Sequence, residues 1–112
     1  MKTIEMKDVP LNPNPHGVET RKFHETEHIQ AVQVTLKPGE QLKKHTTAVD
    51  VFFYVLEGTG IVEIGDEKKE VTKDTFVDSP ANIPHCWYNE SAQLLRFLIV
   101  KTPVPVNKAR IL

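Results

Sequence analysis

Five histidines and a single cysteine are the side chains of this 112-residue sequence best suited to hold a metal or shift a proton near neutral pH. His85 is the most constrained of them. In "SPANIPHCWYN" it follows Pro84 directly, with Pro80 and Asn82 just upstream, so the backbone is stiffened twice before one imidazole is presented. His45 ends the stretch "PGEQLKKH". A neutral imidazole can ligate a metal or grip a polar ligand, and both uses suit His45 and His85. His24 and His28 have the i, i+4 spacing of a helical metal site. The surrounding "VETRKFHETEHIQAV" does not repeat its apolar residues at helical intervals, so no helix is expected there. Cys86 is alone, which excludes an intrachain disulfide and a zinc-knuckle spacing. It follows His85 on an extended backbone and points to the opposite face, as a buried and inert thiol. No nucleophile–base pair and no glycine-rich phosphate loop is visible.

The elements that must position these residues are short. Eight prolines and five glycines are spread along the chain and cut it into strand-sized pieces. "DVPLNPNPHG" reads as an irregular arm, with His16 in a surface loop or folded over the mouth of whatever follows. "HIQAVQVTLKPGE" alternates: His28, Gln30, Val32, Val34 and Leu36 share one face of a strand, and Pro38-Gly39 ends it with turn chemistry. "VDVFFYVLEG" and "QLLRFLIVKTP" are apolar on both faces, as strands covered on both sides are. "GDEK" is a tight turn, and "DTFVDSPANIPH" is a strand running into the proline corner. Six or more such strands without a helix indicate an all-β sandwich or small barrel.

The totals agree. The length suggests one domain, and 39% hydrophobic with 26% charged residues is ordinary for a globular protein. Fourteen basic against fifteen acidic residues, with no basic run, leave nothing to draw the chain to nucleic acid or an anionic membrane. "MKTIEMKDVP" lacks the apolar stretch of a signal peptide and the longest apolar runs are too short to span a bilayer, so a cytoplasmic location is expected.

The stretches "PGEQLKKHTTAVDVFFYVLEGTG" and "DTFVDSPANIPHCWYN" resemble the two motifs of the cupin superfamily, over residues 28–102. The first motif carries His-x-His, a glutamate and a closing glycine; the second carries Pro-x-Gly, a histidine and an asparagine. Gly39, His45, Gly58, Pro80, His85 and Asn89 fall in place. The resemblance implies a single-domain double-stranded β-helix, or jelly-roll: an arm and first edge strands at 1–27, the barrel at 28–102 and a proline-containing tail at 103–112. It also implies a divalent transition metal (Fe, Mn, Ni or Zn) inside the barrel.

Two of the four family ligands are replaced. His45 and His85 stand in the first and last positions, and Thr47 stands where the second histidine belongs. Val51 takes the glutamate position, with Asp50 one residue early. Strand neighbours point to opposite faces, so Asp50 completes the ligand set only if a bulge or loop re-aims it. Asp74 and Asn82 replace the two glycines of the second motif.

The metal candidates are thus His45, His85 and Asp50. The candidate pocket is Thr47, His28, Gln30, Val51, Phe53 and Trp87, with Trp87 either walling the cavity or lying in the core. Phe52 and Tyr54 lie on the face opposite Val51 and Phe53, where a homodimer interface would cover them. Two functional readings follow. One is a metal-dependent cupin enzyme of dioxygenase or isomerase type. The other is a metal-free small-molecule-binding module, a sensor or accessory subunit, acting as a dimer.

Overall fold

Alternation and turn chemistry decide where the strands fall. A computed structural model describes residues 1–104 and, in backbone alone, the pair Arg110–Ile111. Among the described residues the chain runs through a 3-10 turn at Met6–Asp8 and then ten strands. These are β1 (Glu19–Glu25), β2 (Gln30–Leu36), β3 (Gln41–Thr46), β4 (Asp50–Glu57) and β5 (Thr59–Ile64). They continue as β6 (Glu67–Thr72), β7 (Phe76–Ser79), β8 (His85–Tyr88), β9 (Leu95–Thr102) and β10 (Arg110–Ile111). Among the described residues there is no α-helix.

The strands form two five-stranded antiparallel sheets, ordered β1-β2-β9-β4-β7 and β10-β3-β8-β5-β6. This is the expected all-β jelly-roll. β1 is an edge strand within the stretch read as arm and edge. Most of the tail expected at 103–112 lies outside the described residues, though the backbone of β10 pairs with β3 at Thr46 and His45.

The reading of "HIQAVQVTLKPGE" holds, except that β2 begins at Gln30. Left-handed backbone occurs where turn chemistry asked for it: Gly39 and Gly65 have φ of +87° and +61°. Asp74 and Asn82 adopt φ of +66° and +65°, the left-handed region that glycine enters most readily and that Asp and Asn tolerate.

The core lies between the sheets. Val34, Leu36, Val51, Phe53, Val55, Trp87, Leu95 and Phe97 are buried there. Trp87 stacks on Phe97 at 4.2 Å and 16°, and Phe53 meets both rings edge-on. Gly60 leaves room beside them: a Cβ there would lie 2.6 Å from a Leu95 methyl and 3.2 Å from the Trp87 ring, so those side chains would have to shift. Asn89 clamps one end of this core. It is buried, its amide donates to the Leu36 and Gln93 carbonyls, and its oxygen accepts from the Ser91 backbone and hydroxyl.

Candidate functional site

His45 faces the barrel interior because its strand carries an extra residue. Leu42 pairs with Trp87 and His45 with His85, so β3 spends one residue more than β8 between the two rungs. Leu42 and His45 lie an odd number of positions apart, and on a regular strand they would face opposite sides. The bulge turns both inward. It also leaves Lys43 with backbone groups that imidazoles take up. Its carbonyl accepts from His45 Nδ1 at 2.6 Å, and its N–H donates to His16 Nδ1 at 2.9 Å.

His85 arrives from the corner at Pro80–Pro84. Asp50 Oδ1 accepts from the Ala81 backbone N–H at 2.9 Å, and the Thr47 carbonyl accepts from Asn82 N–H at 2.8 Å. The corner is therefore held on two sides. The two Nε2 atoms of His45 and His85 meet at 3.0 Å, with ring centroids 4.4 Å apart and planes at 77°. His85 Nδ1 is 2.7 Å from the fully buried Ser79 hydroxyl.

The proton positions follow from the partners. A carbonyl oxygen only accepts, so His45 carries its proton on Nδ1 and, when neutral, offers a lone pair on Nε2. His85 must then donate its Nε2–H to that lone pair, and its Nδ1 accepts from Ser79. Every ring nitrogen of the pair is satisfied with both rings neutral.

Electrostatics keeps them so. Burial, then the neighbouring His45, Lys101 and His16, push His85 down to about 3. Burial lowers His45 as well, partly offset by its bond to the Lys43 carbonyl. His16 falls to about 4 through burial and then through His45, Lys43 and Lys101. Burial also lowers the Lys101 ammonium.

His16, Ser79 and Lys101 did not figure among the sequence candidates. The arm folds inward and sets the His16 ring 4.9 Å from that of His45, which corrects the surface-loop reading in favour of a covered mouth. Lys101 was legible in "LRFLIVK": it shares the parity of Leu95, Phe97 and Ile99, all buried. Ser79 is the residue before Pro80, inward beside Val51 in the β4–β7 ladder.

Other candidates are placed elsewhere. Asp50 is not a ligand in this arrangement, because it is exposed and its carboxylate binds Ala81. β4 enters its ladder without a bulge there, so Val51 takes the inward position. His28 is corrected too: it precedes β2, its side chain is 82% exposed and it contacts Glu27. Gln30 keeps the inward parity, but its amide donates to Glu25 at 2.5 Å. Phe53 and Trp87 are packed core, with Phe53 also edge-on to His85 at 5.3 Å. Thr47 is buried beside the site, and among the described residues its hydroxyl has no hydrogen-bond partner. Cys86 points away, as expected, onto the Glu63 carboxylate and Tyr88 hydroxyl.

The fit of a divalent ion can be judged on this donor set. Two Nε2 atoms converge, each backed at Nδ1 by an oxygen, which is how metal-bound imidazoles are oriented. A retained first-row ion wants a third protein donor. Asp50 is engaged, the His16 Nδ1 lone pair is taken by Lys43, and a neutral hydroxyl such as that of Thr47 is a poor ligand. Among the described residues no group of three His, Cys, Asp or Glu side chains is arranged for a metal. The Lys101 ammonium adds positive charge where a cation would sit. The described residues do not fit a tightly held divalent ion.

Comparisons with known proteins agree with this architecture. The family described as "Cupin domain" matches residues 32–101. An uncharacterised protein of Methanocaldococcus jannaschii is 29% identical over 85 residues, covering 75% of this chain and 73% of its own. The crystal structure of TT1209 from Thermus thermophilus superposes with a TM-score of 0.80 at 28% identity, over 94% of this chain and 100% of that one. The polyketide cyclase RemF from Streptomyces resistomycificus gives a TM-score of 0.86 over 100% of this chain and 85% of that one. Its 20% identity speaks for a shared fold alone.

Proposed function

The chain belongs to the cupin domain family, and from that premise we propose that it binds a small molecule at the barrel mouth without a resident metal. The observation that carries this reading is the 3.0 Å contact between two buried imidazoles whose outer nitrogens are both anchored. Such a pair is preorganised, so little rotamer freedom is lost when a ligand engages it. It presents one donor, His85 Nε2–H, and one acceptor, His45 Nε2, to whatever separates the rings. Both are neutral at pH 7, so they offer hydrogen bonds to a ligand and have no proton to give as acids. The metal-dependent dioxygenase or isomerase reading loses its support with the incomplete donor set.

A ligand-detected NMR screen with a small fragment library tests this. Binders should move the ring resonances of His45 and His85 and lose affinity in His85→Ala. Binding that leaves both rings unmoved would contradict the assignment.

Pairing of two copies is part of the same proposal. The outer face of the first sheet carries Phe52 and Phe76, with rings 5.5 Å apart and Phe76 57% exposed. Sedimentation should show a dimer that Phe76→Asp weakens, whereas a wild-type monomer at micromolar concentration would remove this element.

A further inference from the structure

We infer that the ligand of this mouth is a small monocarboxylate whose charge is met by Lys101. The inference rests on the binding reading above and adds the ligand's chemical class.

The geometry is that of two facing rungs. In the first sheet Gln30, Lys101, Val51 and Ser79 pair in register across β2, β9, β4 and β7, so all four share the inward face. In the second sheet His45, His85 and Ile64 pair in register across β3, β8 and β5. The Ser79–His85 hydrogen bond ties one rung to the other. Lys101 ends the inward series Leu95, Phe97, Ile99, and its ammonium is thereby directed to the mouth above the apolar filling.

What surrounds that ammonium is short of negative charge. Among the described residues no ion pair or hydrogen bond engages the Lys101 side chain. The carboxylate in register on that rung is Glu25, two strands away and bound by Gln30 and Lys22, while Asp50 pairs with Thr102 on the opposite parity and is held by Ala81. The three imidazoles are neutral and supply no countercharge. His16 accepts the Lys43 N–H at Nδ1, so its proton is on Nε2 and it is a donor.

An ammonium withdrawn from water beside hydrogen-bond donors is a site for an anion. A divalent cation would meet the opposite: repulsion from Lys101 and, among the described residues, no carboxylate to hold it. One ammonium balances one negative charge. The two arginines whose side chains are described, which a phosphate dianion would call for, are committed elsewhere, Arg21 to Val9 and Glu19, and Arg96 to Glu57 and Gln33. In the inferred complex one carboxylate oxygen accepts from Lys101 and the other from His16 Nε2–H, or from His85 Nε2–H once that donor leaves His45.

The test uses matched probes: acetate, propionate and benzoate beside acetamide, propionamide and benzamide, titrated at constant ionic strength while the His85 ring resonance is followed. Wild type should bind the best carboxylate about tenfold or more tighter than its amide, a difference of about 1.4 kcal/mol. Lys101→Met, which fills similar volume without charge, should erase that preference, and Lys101→Arg should keep it. Far-UV circular dichroism and Trp87 fluorescence check that both variants are folded. Amides that bind as tightly as carboxylates, or a preference that survives Lys101→Met, would overturn the inference and leave the binding reading standing. If no probe of either kind moves the His85 resonance, both fall together.

Discussion

The two ends of the barrel interior are built from the same strands and do opposite work. At the closed end β8 and β9 contribute Trp87 and Phe97, stacked at 4.2 Å, with Phe53 of β4 edge-on to both. At the mouth the same strands contribute His85 and Lys101, and β4 contributes Val51. The closed end removes apolar rings from water and supplies stability, about 1.5–3 kcal/mol for each large side chain fully buried. The mouth buries imidazoles and an ammonium, which costs free energy unless every polar group finds a partner. The lesson is that inward parity alone does not distinguish filling from function. One step of two residues along β8, from Trp87 to His85, passes from one to the other.

The comparison breaks most visibly at the closed end. Trp87→Ala should lower unfolding free energy by about 3–5 kcal/mol in a denaturant titration. A loss below about 1 kcal/mol would mean that the aromatic stack is not the stabilising centre. Asn89→Ala comes next. It leaves the Leu36 and Gln93 carbonyls without their donor and should cost about 2–3 kcal/mol in the same titration.

Acid should act on the mouth and spare the stack. His16 and His85 are held at about 4 and about 3 in the folded chain, against an ordinary value of 6.5. Between these limits the unfolded chain binds protons that the folded chain refuses. Stability is therefore complete above pH 6.5 and declines as the pH falls toward 4. Thermal melts at pH 7 and pH 5 should show the loss, and His85→Gln should reduce it. An unchanged pH slope in that variant would show that the ring is not held neutral. Ser79→Ala is the smallest of the stability changes, about 1 kcal/mol. It should still change the mouth, since His85 Nδ1 loses its donor and the ring is freer to turn.

Metal content sharpens the same contrast. Elemental analysis of untagged protein should find well below one equivalent of Fe, Mn, Ni or Zn, with His45→Ala and His85→Ala unchanged. Stoichiometric metal that both variants lose would restore the enzyme reading.

Much of the fold was legible because period and turn chemistry are local. The alternation in "HIQAVQVTL", the Pro38-Gly39 turn and the Gly65 turn need no distant partner to be read. The site was legible only in part, since its decisive features depend on contacts between remote segments. The bulge between Leu42 and His45 sets which way His45 faces, and nothing in "QLKKHT" announces it. Asp50 is claimed by the backbone of Ala81, 31 positions away, so its loss as a ligand could not be counted from motif spacing. His16 reaches the site only because the arm folds back onto Lys43. Lys101 is different. Its parity was plain in "LRFLIVK", and reading that strand as apolar on both faces passed over its last inward residue.

The direct measurement is a long-range nitrogen–proton correlation spectrum of the histidine rings, recorded from pH 7 to pH 5. Proton on Nδ1 of His45 and on Nε2 of His85 at pH 7, with His85 still neutral at pH 5, is the predicted result. A His85 ring that titrates near 6.5, or a His85 proton resident on Nδ1 in the free protein, would contradict the coupled pair on which the binding mouth is founded.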